Sequence, residues 1–247
     1  MNEDWGVFSR ESGERPALVS LDFELLPAAP LVHYPILATV RIALHNPGPD
    51  GLPSPAESDE IGPLENAIQD ALKLEGAKLV ALVWVDGFRK LYFYAPPGCQ
   101  VKRWVEAACE GSGYQVSASV RPDPQWLYFV DELSPSAWEL QVLSNNQVIA
   151  TMLENGDDVE SPRDVDHYLY FPTDEHRSQA IAAAKTQGFE VSELLEDEPP
   201  PNPFGVQLTR RDSISPASIT EPVELLFRLA EQHNGDYDGW GSPVVVR

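Results

Sequence analysis

Hydrophobic periodicity lays out one order of elements twice along this chain, and nothing else in the sequence restricts the fold as strongly. Tyr34 to Leu44 reads as a strand. Ile61, Leu64, Ile68 and Leu72 then recur at helical spacing, up to a stop at Glu75-Gly76. Leu79 to Val85 and Phe88 to Tyr94 form a hairpin around Asp86-Gly87, a pair suited to a type I′ turn. A helix from Gln100 to Cys109 and a strand from Tyr114 to Val120 complete the order βαββαβ. Two further strands are expected outside it, Ala17 to Leu26 before and Trp126 to Val130 after.

The same order returns in the second half. Ser134-Pro135 is expected to open a long helix that runs to about Glu154 and stops at Asn155-Gly156. Asp166 to Phe171 follows as a strand, and Asp174 to Gln187 as a helix ended by Gly188. Phe189 to Leu195 and Phe204 to Thr209 pair as a hairpin across the acidic, Pro-rich turn Glu196 to Pro203. A helix from Pro216 to His233 and a short strand within Tyr237 to Val246 close the pattern. The order βαββαβ is that of the split βαβ, or ferredoxin-like, sandwich. The expected fold class is therefore α+β, two consecutive ferredoxin-like sandwiches with antiparallel sheets, over residues 1–133 and 134–247. The two halves share topology and no residue-level repeat.

Charge narrows the function. Lys and Arg number 17 against 39 Asp and Glu, a net charge of −22, and acids outnumber bases on both sides of Ser144. Such a surface repels phosphate backbones and anionic membranes and favours a protein partner with a basic, Arg-rich surface. No direct nucleic-acid or membrane partner is expected. The first residues, Met1-Asn2-Glu3-Asp4-Trp5, lack a basic and then apolar leader, and the longest apolar run, Leu79 to Val85, is too short for a bilayer. A cytoplasmic protein is the expectation. The two cysteines, Cys99 and Cys109, make no disulfide framework and read as small buried apolar residues.

No motif names a nucleophile with its base, and no cofactor is expected. His33, His45, His167, His176 and His233 are scattered without metal-ligand spacing. The densest polar cluster is Gly156-Asp157-Asp158 with Arg163, Asp164, Asp166 and His167. Asp164 and Asp166 would share one face of a strand and His167 the other. Its carboxylates suit a divalent cation, but the simpler reading has Arg163 paired to a neighbouring carboxylate, and no metal is assigned. The tract Glu193 to Glu198 is a solvated hairpin tip or a contact for a basic partner. In Gly235-Asp236-Tyr237-Asp238-Gly239-Trp240-Gly241, Trp240 is either a core lid or an exposed anchor, and the flanking glycines favour the core.

These pieces carry a resemblance. A helix ending in Gly156-Asp157, then Arg163 and His167 entering a strand that ends Tyr170-Phe171, Gly188-Phe189-Glu190-Val191, and Tyr237-Asp238-Gly239-Trp240-Gly241 succeed one another as in the regulator of ribonuclease E activity B family. The first half resembles the bacterial domain of unknown function 695 family through Trp5, Gly51-Leu52-Pro53 with Glu57, and Tyr92-Phe93-Tyr94. The resemblance implies a non-enzymatic acidic regulator that binds ribonuclease E and dampens RNA cleavage, with no catalytic residues. Asp157, Asp158, Arg163, His167, Tyr237, Asp238 and Trp240 are the candidate binding residues. The competing reading is an enzyme or ligand-binding protein with its site in an interdomain cleft or in the first half, around Trp84, Arg89, Tyr92 and Tyr94.

Overall fold

The computed structural model describes residues 4–13, 15–196 and 199–246. It divides into two compact units, Met1–Pro135 and Ser136–Arg247. Two residues of the expected acidic turn, 197 and 198, lie outside the described residues, as do the first three of the chain.

The first unit runs β1 (Trp5–Ser12), β2 (Arg15–Asp22), β3 (Ile36–Ala43), α1 (Pro55–Leu74), β4 (Lys78–Val85), β5 (Phe88–Ala95), α2 (Val101–Cys109) and β6 (Val116–Pro122). Its sheet has the order β1-β2-β4-β5-β3-β6, and every pairing is antiparallel. The last four positions of that order are the split βαβ arrangement, and the β1–β2 hairpin extends it on the β4 side. Asp86 (φ 51°) and Gly87 (φ 77°) both sit in the left-handed region, as a type I′ turn requires. Ile61, Leu64, Ile68 and Leu72 of α1 are buried against Val40, Ile42, Leu91 and Phe93. The helix-spaced residues of the sequence are thus the ones that form the core.

Three local expectations are corrected. The strand expected from Ala17 to Leu26 ends at Asp22, whose carboxylate accepts from the Glu24 N–H and caps a 3-10 turn over Phe23–Leu25. Strand β1 was not foreseen, because its polar residues mask the alternation. The strand expected over Trp126 to Val130 is helical, with a π-helical turn at Phe129–Leu133. There the carboxylate of Asp123 accepts from the N–H groups of Leu127 (2.9 Å) and Tyr128 (3.1 Å), so the chain turns into a helix. Trp126 stacks on Tyr94 with ring centroids 3.8 Å apart and is buried with Phe129 and Leu133, whereas Val130 is exposed, so burial here follows the helix and not the apparent alternation.

The second unit runs α3 (Ala137–Glu154), β7 (Arg163–Phe171), α4 (Asp174–Thr186), β8 (Glu190–Leu195), β9 (Phe204–Asp212), α5 (Pro216–Gln232) and β10 (Asp236–Gly241). Its four-stranded antiparallel sheet has the order β10-β7-β9-β8, again the split βαβ order, with α3 added in front. The first helix begins two residues later than expected. Ser136 rather than Ser134 is its N-cap, closing a reciprocal capping box with Glu139. Val165, Leu169 and Phe171 of β7 pack with Ile219, Val223 and Leu226 of α5 and Ala180 and Ala184 of α4. No described helix is long and apolar enough to cross a membrane.

Candidate partner-binding face

Strand β7 alternates strictly. Arg163, Val165, His167, Leu169 and Phe171 are buried, whereas Asp164 is exposed and Asp166, Tyr168 and Tyr170 are half-buried. The helices cover the first set, so the second set lies on the outer face of the sheet. Register carries that face onto the neighbours. Arg211, Thr209, Gln207 and Gly205 of β9 stand opposite Asp164, Asp166, Tyr168 and Tyr170. Glu190 and Glu193 of β8 stand opposite Thr209 and Gln207, and Asp236 of β10 opposite Tyr170. All three are exposed.

Hydrogen bonds and close packing stiffen this face. Thr209 Oγ1 lies within hydrogen-bond reach of both Asp166 Oδ1 and Ser192 Oγ, which links three strands. Tyr170 lies across Gly205, where a Cβ would come within 2.8 Å of the ring. Asp164 pairs loosely with Arg211 at 3.7 Å, both side chains well exposed. The outcome is two tyrosines at the centre of a sheet, bordered by Asp164, Asp166, Glu190, Glu193 and Asp236. Aromatic faces and carboxylates together are what a guanidinium binds, by stacking and by paired hydrogen bonds.

The residues singled out by the sequence mostly stand behind this face. Arg163 donates to Asp157 Oδ2 (2.6 Å) and to the carbonyls of Ser161 (3.1 Å), Pro243 (3.2 Å) and Asp158. Asp157 Oδ2 also accepts from the Val245 N–H at 3.0 Å. This clamp pins the C-terminal tail to the end of α3. The hydrogen bond from Arg163 holds the Asp157 carboxyl below its ordinary range. Asp158, half-buried, accepts from the Ser161 hydroxyl at 2.9 Å. The structure thus gives Arg163 the carboxylate partner that the sequence left unnamed. Among the described residues, no three His, Cys, Asp or Glu side chains converge as metal ligands do.

His167 and Tyr237 are also interior. Nδ1 of His167 lies 2.8 Å from the Tyr237 hydroxyl, and burial lowers the imidazole pKa to about 4. Trp240 is 9% exposed and donates from Nε1 to Oδ1 of the buried Asn145 at 2.9 Å. That puts Trp240 in the core, one of the two roles the sequence allowed. Asp238 alone of the seven candidates is exposed, at the irregularity in β10 between Tyr237 and Gly239. Tyr168, Glu190 and Asp236, in contrast, were not singled out as binding residues. Their shared face depends on register between strands, which no local pattern displays.

The four residues of the competing reading do not form one site. Arg89 and Trp84 are paired across the β4–β5 hairpin, the guanidinium 4.3 Å from the ring centroid, and Arg89 is held by Glu65 of α1 at 2.7 Å. Tyr92 and Tyr94 point to the opposite face. There the Tyr92 hydroxyl meets that of Tyr128 at 3.3 Å, and the Tyr94 hydroxyl donates to Asp123. Burial pushes both phenols upward, so they stay neutral. Gly51 and Glu57 are scaffold as well. The Glu57 carboxylate accepts from the N–H groups of His45 and Asn46, and Gly51 (φ 80°) packs onto the backbone of Asp86, where a Cβ would lie 3.0 Å away.

Comparison with known proteins agrees with this division. The family described as Regulator of ribonuclease activity B matches residues 143–242, and a family of unknown function, DUF695, matches residues 3–134. A Regulator of ribonuclease activity B from Photobacterium profundum is 32% identical over 109 residues, which are 42% of this chain and 81% of that protein. The protein of the same name from Salmonella typhi is 29% identical over 44% of this chain and 80% of its own length. Among solved structures, an unknown protein from Galdieria sulphuraria aligns over 85% of this chain and 98% of its own at 15% identity, with a TM-score of 0.23. The chain belongs to the Regulator of ribonuclease activity B family through its second unit and to the family of unknown function DUF695 through its first.

Proposed function

We propose that this protein regulates a ribonuclease, with ribonuclease E as the first candidate, by protein–protein contact and without chemistry of its own. The observation that carries the reading is the outer face of the β10-β7-β9-β8 sheet, where Tyr168 and Tyr170 are ringed by Asp164, Asp166, Glu190, Glu193 and Asp236. A basic, Arg-rich segment of the nuclease fits there. Its guanidinium groups stack on the phenol rings while the carboxylates accept their N–H groups. Asp157, Arg163, His167, Tyr237 and Trp240 support this contact from behind, by fixing the strands and the C-terminal tail. Of the remaining two candidates, Asp158 is half-buried and Asp238 is exposed.

The test is a binding titration of the full chain against ribonuclease E, paired with an RNA-cleavage assay. Tyr168→Ala with Tyr170→Ala, and separately Asp164→Lys with Glu193→Lys, should each weaken binding at least tenfold and relieve the effect on cleavage. Binding unchanged in both variants would move the contact elsewhere on the protein.

A further inference from the structure

Strand β6 closes one side of the first unit's sheet, and among the described residues no strand pairs with its outer side. Its direction of hydrogen bonding can be read from its ends. The Ala43 N–H donates to the Gln115 carbonyl (2.9 Å) and the Asp123 N–H to the Pro35 carbonyl (2.8 Å), so odd-numbered residues here turn their polar backbone toward β3. Antiparallel pairing alternates, so Val116, Ala118 and Val120 turn theirs to the open edge. Edge strands are ordinarily blunted by charge, proline or bulges. In a chain of net charge −22, the stretch from Val116 to Val120 carries no charge, no proline and no register shift.

The sequence of that edge is Val116-Ser117-Ala118-Ser119-Val120, which reads the same in both directions. A twofold interface requires that residue i meet residue j while j meets i. Antiparallel pairing of two such strands about Ala118 satisfies this with like on like. Ala118 faces Ala118, Ser117 faces Ser119, and Val116 faces Val120. The centre falls on an outward-pointing residue, so Ala118, Val116 and Val120 all exchange N–H···O=C bonds with the other strand. Serine pairs and β-branched pairs directly opposite one another are favourable cross-strand neighbours.

Charge beside the strand fits the same symmetry. A groove of about 590 Å³ runs between α2 and β6, and its lining includes Lys102 and Arg103 at one end of the helix and Glu106 and Glu110 toward the other. A twofold axis through Ala118 sets the two α2 helices antiparallel on one face of the joined sheet. The basic end of each then faces the acidic end of the other. We infer that β6 and α2 form a dimerisation surface, and that its occupant is β6 of a second copy of this chain. The proposal uses residues of the first unit and the binding face proposed above uses residues of the second, so either can fail without the other.

Sedimentation velocity on the full chain tests it. A species of twice the 27.3 kDa chain mass is expected to appear as concentration rises toward about 100 µM, a range suited to a small interface. Ser117 and Ser119 are exposed, so charging them leaves the core alone. The double variant Ser117→Glu, Ser119→Glu should be monomeric, as should Ser117→Lys, Ser119→Lys, because each sets like charges directly opposite across the seam. Mixing the two should restore dimers of mixed composition. A wild-type chain monomeric throughout that range overturns the proposal. So do variants that still dimerise, or a mixture that stays monomeric.

Discussion

At the residue scale, Trp240 is where the sequence offered two roles and the structure fills one. Three glycines surround it in Gly235 to Gly241, and with Gly235 a Cβ would sit 2.4 Å from the Phe171 ring, so the backbone must pass close to β7. That close approach is what delivers the indole to Asn145. Trp240→Ala should cost on the order of 3–5 kcal/mol of stability, read as a shifted denaturation midpoint. Trp240→Phe should cost less, because it keeps most of the apolar area and loses the Nε1 hydrogen bond. A midpoint unchanged in Trp240→Ala would mean that the side chain is not core. His167 makes a prediction in pH. Its folded pKa, about 4, lies below its ordinary 6.5, so the unfolded chain binds the extra proton first. Stability is therefore undiminished above about pH 6.5 and falls as pH drops toward 4, by roughly 3 kcal/mol in all. Histidine NMR titration should show one imidazole still neutral near pH 5; a titration of all five near pH 6.5 would contradict the buried placement.

At the element scale, most helices and strands were legible because burial imposes periods of 3.6 and 2 on the sequence. Helix α1, the Asp86-Gly87 hairpin and the β8–β9 hairpin all follow from that signal. The segment from Trp126 to Leu133 did not, for a physical reason. Trp126, Tyr128 and Val130 alternate like a strand, while the decisive group is Asp123, three residues ahead, whose carboxylate takes up the first free N–H groups of a helix. The same carboxylate accepts from the Tyr94 hydroxyl at 2.5 Å, so one side chain both starts the turn and fastens it beneath the sheet. Asp123→Ala leaves three donors without their acceptor at a buried position. The loss should exceed about 2 kcal/mol, and Asp123→Asn should recover part of it, because an amide oxygen still accepts. Equal loss in both variants would show that the charge, and not the cap, is what matters.

At the scale of the whole molecule, the two repeats of βαββαβ were readable because element order survives when residue identity does not, and order restricts an antiparallel sheet to few topologies. The proposed binding face was not readable in the same way. Asp164 and Asp166 declare a shared face by their spacing, but Glu190 and Asp236 join them only through pairings between strands distant in sequence. Net charge, in contrast, needs no structure. It is −22, distributed over both units, and in the first unit the cations Arg89 and Lys78 are already committed to Glu65 and Asp22. In the second, Arg163 and Arg177 are committed to Asp157 and Asp174, and Arg210 to Asp212. A polyanion binds by exchanging its condensed counterions for Lys and Arg side chains, and these cations are held by carboxylates within their own unit. RNA would instead meet Asp164, Glu190, Glu193 and Asp236 on the open sheet face, and its approach would be opposed by like charge. Fluorescence anisotropy with single-stranded RNA at low salt, where such binding is strongest, should therefore show no association at micromolar protein. Regulation of RNA cleavage would then run through the nuclease and not through its substrate. Micromolar binding that weakens steeply with added salt would instead mark a basic surface on this protein and reverse that order of events.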